Sequence, residues 1–275
     1  MIASLNHVKE ILNEKSLKAK KKFGQNFLID ANVVDKIAKN ACDKEIETIE
    51  IGPGIGALTE MLLKYSKHVY AYEIDKDMYE ILNKEFSENR NIDIYLKDFL
   101  DVDLSRVEYK NNKINICSNL PYYVTTPILF KLFESELNIH KITVMVQKEV
   151  ADRFKAEVGS EDYGALSVEV QYLFEVKQEM FVSKNVFYPS PKVDSAVVSF
   201  TPIRKRDYGY EKEFFELVKK CFAKRRKTLF NNLRDFLDKE IIDNIYKECN
   251  LKQTVRAQEL TLQDFVNIYE ATNGR

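Results

Sequence analysis

The strongest constraint on the fold is an alternation that begins at Thr48: a short apolar strand, a turn, an amphipathic helix, then the same again. Thr48 to Ile51 reads as strand, Ala57 to Tyr65 as helix, Val69 to Ile74 as strand, Met78 to Phe86 as helix and Ile92 to Leu96 as strand. Ile114 to Cys117 and Ile142 to Gln147 extend the series around a helix from Pro127 to Phe133, with proline in the first turn, where its missing N–H costs nothing. Strands joined by helices of this length run parallel, so the pattern predicts an α/β fold, a mostly parallel sheet with helices on both faces. Leu173 to Val182 and Val193 to Phe200 leave no room for a crossover helix and are expected to pair antiparallel at one sheet edge. From Glu211 onward the apolar period is helical only, with Phe214, Phe215, Val218 and Cys221 on one face. A larger domain over 1–204 and a smaller all-helical one over 205–275 are therefore expected.

Composition excludes several classes. At 45% hydrophobic and 31% charged residues the chain is neither disordered nor fibrous. No apolar run reaches the roughly 18 to 20 residues of a membrane span. The amino end, with Lys9, Glu10, Glu14 and Lys15, lacks a secretory core, so a cytoplasmic protein is expected. Cys42, Cys117, Cys221 and Cys249 form no CxxC pair, and His7, His68 and His140 share no ligand spacing with them, so no metal is expected. Nothing suggests a coiled coil, and a monomer is expected. The 42 Lys+Arg balance 43 Asp+Glu, but the basic residues are clustered. Lys20, Lys21 and Lys22 close one acid-free run; Lys219, Lys220, Lys224, Arg225, Arg226 and Lys227 form another. Each alone reads as a solvated face; two in an acid-balanced chain point to a polyanion.

Glycines gather where the first strand gives way to the first helix, in Glu50-Ile51-Gly52-Pro53-Gly54-Ile55-Gly56-Ala57. They permit a tight turn and a close approach of backbone to ligand, and Gly52, Gly54 and Ala57 also satisfy a dinucleotide fingerprint. Two carboxylates narrow the choice. Glu73 ends the second strand roughly 20 residues beyond Gly52, where an acid accepts ribose hydroxyls. Asp98 follows the third strand, placed to accept from an adenine amino group while Phe99 or Leu100 covers the ring. Each could instead cap a helix or turn. Together they outline an adenosine-shaped pocket.

The end of the fourth strand, Ser118-Asn119-Leu120-Pro121-Tyr122-Tyr123, carries the chemistry. An exocyclic adenine amine is a poor nucleophile because its lone pair is delocalised into the ring. The Asn119 side-chain oxygen and the Leu120 carbonyl could each accept one amino hydrogen, turning that lone pair toward an electrophile and stabilising the charge that develops on nitrogen as a methyl group arrives. Pro121 keeps Leu120 extended. Tyr122 offers a ring on which an unpaired base can stack.

These segments resemble the ribosomal RNA adenine N6-dimethyltransferases that act on small-subunit rRNA. The matching pieces are Gln25-Asn26-Phe27-Leu28, the Glu50 to Gly56 turn, Tyr72-Glu73-Ile74-Asp75, Asp98, Asn119-Leu120-Pro121-Tyr122, and Phe187-Tyr188-Pro189-Ser190-Pro191-Lys192-Val193-Asp194-Ser195. The resemblance implies a Rossmann-like methyltransferase sheet, S-adenosylmethionine as methyl donor, and two neighbouring adenosines near the 3′ end of small-subunit rRNA, in an immature ribosomal subunit, as substrate. It carries donor binding to Asn26, Leu28, Gly52, Glu73, Asp98 and Asn119, with Gly54 in the same turn, and implies that Phe187 and Tyr122 sandwich the target base. The helical domain would then contact rRNA through Lys224 to Lys227. Three alternatives stay open: a large-subunit rRNA adenine methylase of the antibiotic-resistance type, an assembly factor acting by binding, and, remotely, a nicotinamide dehydrogenase.

Overall fold

The computed structural model describes residues 1–14, 25–109, 112–203 and 207–272. The fold divides into two compact units, Met1–Ala151 with Lys177–Pro202, and Asp152–Val176 with Ile203–Arg275. The second unit therefore takes in a segment, Asp152–Val176, that the sequence reading placed in the larger domain. The cause is an unanticipated helix, Ala165–Leu173, whose apolar side packs on helices of the second unit.

The first unit opens with α1 (Leu5–Glu14), a two-residue strand β1 (Phe27–Leu28) and α2 (Ala31–Ala41). Asp30 caps α2, accepting from the Asn32 and Val33 amides. The alternation then appears as expected: β2 (Glu47–Ile51), α3 (Ala57–Tyr65), β3 (Val69–Glu73), α4 (Lys76–Glu85), β4 (Ile92–Leu96), β5 (Ile114–Asn119), α5 (Thr125–Phe133) and β6 (Ile139–Gln147). After α6 (Lys148–Phe154) and α7 (Ala165–Leu173) come β7 (Phe174–Val182), the short β8 (Phe187–Tyr188) and β9 (Ser195–Pro202).

Seven strands form one sheet in the order β4-β3-β2-β5-β6-β9-β7. β4 through β6 run parallel, and β9 lies antiparallel to β6. The two late strands thus sit at one edge, as the absence of a crossover helix requires. Helices pack against the sheet, α2 on β5 and β6, α4 on β3 and β4. The chain builds outward from β2 through β3 to β4, then returns to lay β5 on the other side of β2. Loops diverge between β2 and β5, and in open α/β sheets that switch point is where ligands bind.

Gly56 shows why the first turn is glycine-rich. It enters α3 at φ 90°, and an added Cβ would come within 2.5 Å of the Phe86 ring. A second, two-stranded ribbon was not anticipated: β8 pairs antiparallel with β1, setting Phe187 opposite Leu28 and Tyr188 opposite Phe27.

In the second unit α7 joins α8 (Tyr208–Cys221), α9 (Leu229–Leu233), α10 (Lys239–Glu248) and α11 (Leu262–Thr272). Its core is aromatic, with the Phe214 ring 5.1 Å from Tyr172 and 5.8 Å from Tyr269. Among the described residues no helix is long and apolar enough to cross a membrane.

Candidate active site

Two cavities open at the carboxyl ends of the central strands. The first is bounded by the β2–α3 turn, Glu73, Gln25 to Leu28 and Asn119 to Tyr123. The second shares Gly52, Ile74, Pro121 and Tyr123 with it and reaches Asp98, Phe99 and Leu100.

Glu73 links the turn to the next helix. Its Oε2 accepts the Gly54 amide at 2.9 Å and its Oε1 the Asp75 amide at 2.8 Å. A carboxylate has room for further donors beyond these two. Burial lifts its carboxyl above the usual range, and the two amide hydrogen bonds pull against that shift. Glu50, also on the cavity wall, is buried and pushed up to about 8 by its burial, although Thr59 Oγ1 donates to it at 2.6 Å. Gly54 brings backbone close to the cavity: an added Cβ would meet the Phe27 ring at 3.4 Å. Asp98 plays the capping role that the sequence left open, since its Oδ1 accepts the Leu100 amide at 2.9 Å, and it lines the second cavity as well.

Asn119 is the last residue of β5, two residues beyond the expected strand end. Its Nδ2 donates to the Asn26 carbonyl at 3.3 Å. A carbonyl only accepts, so the amide must turn its nitrogen to Asn26, leaving the oxygen as the group free to accept from a ligand. The Leu120 amide continues the β5–β6 pairing by donating to Met145 at 3.2 Å. Pro121 then closes a turn, its carbonyl accepting from the Val124 amide at 3.1 Å and from Thr125 Oγ1 at 3.2 Å. Tyr122, half-buried, places its hydroxyl 2.9 Å from Ser195 Oγ, and burial raises its phenol.

The structure thus brings Asn26, Leu28, Gly52, Gly54, Glu73, Asn119, Leu120 and Tyr122 around one cavity, with Asp98 in the adjoining one. Phe187 lines neither. It is 3% exposed and packed in the core of the first unit, because pairing with β1 directs it inward. Lys224 to Lys227 lie in the exposed turn between α8 and α9. There Lys224 pairs with Asp235, and the Arg225 guanidinium donates to the Glu161 and Tyr163 carbonyls. Lys20, Lys21 and Lys22 lie outside the described residues. Among the cavity residues to which the sequence assigned no role are Glu50, Ile74 and Tyr123. The signal for Glu50 was present, an acid between Ile49 and Ile51 at the end of a parallel strand.

These acceptors and the walls around them fit S-adenosylmethionine. Glu73 can accept vicinal ribose hydroxyls, Asp98 can accept an amino group, and Ile74, Phe99 and Leu100 offer apolar walls to a purine.

Comparison with known proteins agrees. The model of the family described as ribosomal RNA adenine dimethylase matches residues 16–273. Proteins named ribosomal RNA small subunit methyltransferase A from Bacillus mycoides and Bacillus cereus are each 42% identical over 282 residues, covering 98% of this chain and 97% of theirs. A dimethyladenosine transferase from Plasmodium falciparum superposes with a TM-score of 0.70 at 26% identity, over 88% of this chain and 95% of that one. The 23S rRNA methyltransferase ErmE, at a TM-score of 0.65 and 23% identity over 90% of this chain and all of its own, shares the fold. Matched by that model along nearly all of its length, the chain belongs to the ribosomal RNA adenine dimethylase family.

Proposed function

We propose that this protein transfers methyl groups from S-adenosylmethionine to N6 of two adjacent adenosines near the 3′ end of small-subunit rRNA, within an immature subunit in the cytoplasm. The observation that carries this reading is Asn119: its nitrogen is tied to Asn26 and its oxygen is left to a cavity that also holds the glycine turn and Glu73. Family membership and the names of the 42%-identical relatives support the substrate.

S-adenosylmethionine, when bound, supplies an activated methyl group. Glu73 would accept its ribose hydroxyls and Asp98 its adenine amino group, and Asn26, Leu28, Gly52 and Gly54 would form the surrounding wall. At the first transfer Asn119 Oδ1 and the Leu120 carbonyl accept the two hydrogens of the target amine, which aims the nitrogen lone pair and stabilises the positive charge that develops there until the nitrogen releases one proton to solvent for each methyl it gains. A neutral amide suits this task, because a carboxylate would favour the charged donor over the transition state. Catalysis is then alignment and electrostatics, with no metal ion. Tyr122 supplies a stacking face for the base. Phe187 supplies the second only after its ring leaves the core. The unit holding the cavities, with its basic amino-terminal segment, is the catalytic domain of a monomer. The helical unit contacts rRNA phosphates through Lys224 to Lys227, so affinity falls with salt.

Mass spectrometry of rRNA digests after incubation with immature small subunits and S-adenosylmethionine tests the reading. Dimethylated adenosine at two adjacent small-subunit positions is expected; methylation of large-subunit RNA instead, or none, would overturn it.

A further inference from the structure

Tyr122 and Tyr123 are neighbours in one tight turn and both line the first cavity, but beyond it their surroundings differ. Tyr122 reaches Ser195 at the start of β9, on the β6 side of the sheet. Tyr123 lines both cavities, including the one that reaches Asp98 after β4. Tyr122 does not line that second cavity.

We infer that Tyr123 is a cofactor-binding residue, its ring covering the adenosine half of the S-adenosylmethionine site from the solvent side while Tyr122 serves the RNA base. The inference rests on the proposed function and adds to it a contact that the family resemblance did not supply. Three observations support it. First, Tyr123 belongs to the small set of residues, with Gly52, Ile74 and Pro121, common to both cavities, so any ligand reaching from the glycine turn to Asp98 passes against it. Second, Tyr123 is 56% exposed and Ile74 43%, two large apolar groups left open at the same junction. A purine laid there would cover both. Third, burial raises the Tyr123 phenol, and Asp98 and then Glu73 raise it further; these are the two carboxylates placed for the adenosine. For Tyr122 the corresponding neighbours are Ser195 and Asp194.

Exposure also makes the test clean, since replacing Tyr123 removes little core packing. Titration calorimetry of the full chain with S-adenosylhomocysteine should show Tyr123→Ala binding about tenfold more weakly than the native protein, the scale of a lost stacking face. Tyr123→Phe should lose less than about threefold, because the ring does most of the covering. Thermal denaturation should place Tyr123→Ala within about 2 °C of native, as for a surface change. Unchanged S-adenosylhomocysteine affinity with a raised KM for the subunit would overturn the inference and give Tyr123 to the RNA base. Unchanged values of both would overturn it in favour of a surface residue. Should the native chain itself bind no S-adenosylhomocysteine, the cofactor reading would fall first and this inference with it.

Discussion

The two ends of the parallel sheet are both polar but use their polar groups differently. At the amino ends of the strands, side chains bond to the protein itself. Ser66 Oγ lies 2.7 Å from Thr48 Oγ1 and 3.0 Å from the carbonyls of Ile46 and His68. His68 meets Asp93 at 2.7 Å, and Lys141 is held by the Asn40 carbonyl. At the carboxyl ends the internal bonds orient groups without exhausting them. Glu73 accepts two amides and keeps acceptor capacity; Asn119 commits its nitrogen and keeps its oxygen. Hydrogen bonds at one end close the structure, and at the other they aim acceptors at a cavity.

That difference can be broken or sharpened by substitution. The largest effect is expected at Asn119. Asn119→Ala should lower single-turnover methylation about 100-fold or more, the scale of one lost electrostatic contact to the reacting centre, with the melting temperature nearly unchanged. A matching loss of stability would mean that the amide is structural after all. Glu73 mixes the two roles, so Glu73→Ala should both weaken S-adenosylhomocysteine binding about tenfold by calorimetry and destabilise the fold by about 1 to 3 kcal/mol in urea, as two amides lose their acceptor. Ser66→Ala, at the closed end, should cost about 1 kcal/mol and leave kcat and KM alone. A change in KM there would show that the closed end communicates with the cavity.

The remaining effect is a slope with pH. The folded Glu50 carboxyl sits at about 8, raised by burial, against about 4.5 in the unfolded chain. The folded state therefore holds a proton that the unfolded state has released between these values. Glu50's contribution to stability is fully present below about pH 4.5 and is lost as pH rises toward 8. Glu50→Gln should flatten the decline of melting temperature between pH 5 and 8, and parallel curves would show that Glu50 does not titrate in this range.

Much of this site was legible because the residues that build it end consecutive strands. Gly52, Glu73, Asp98 and Asn119 each follow an apolar run, and a parallel sheet brings the ends of such runs together whatever the helices between them do. Asn26 and Leu28 were reachable only through the family resemblance. A two-residue strand has no period to read, and its partner, β8, lies far along the chain. An aromatic beside prolines is more often packing than substrate contact, and Phe187 does pack inward; what the same distance hid is the ribbon that turns it toward the core. Tyr123 was missed because stacking chemistry was assigned to Tyr122. Two consecutive aromatics in a turn closed by Pro121 must diverge, and which faces the ligand depends on strand order, which local pattern does not contain.

The β1–β8 ribbon also bears on how the molecule comes into being. Phe27 and Leu28 leave the translating ribosome well before their strand partners, Phe187 and Tyr188. Until those partners emerge, that side of the donor pocket has no backbone neighbour. A nascent chain is thus denied a finished methyl-donor wall until it has been made past Tyr188.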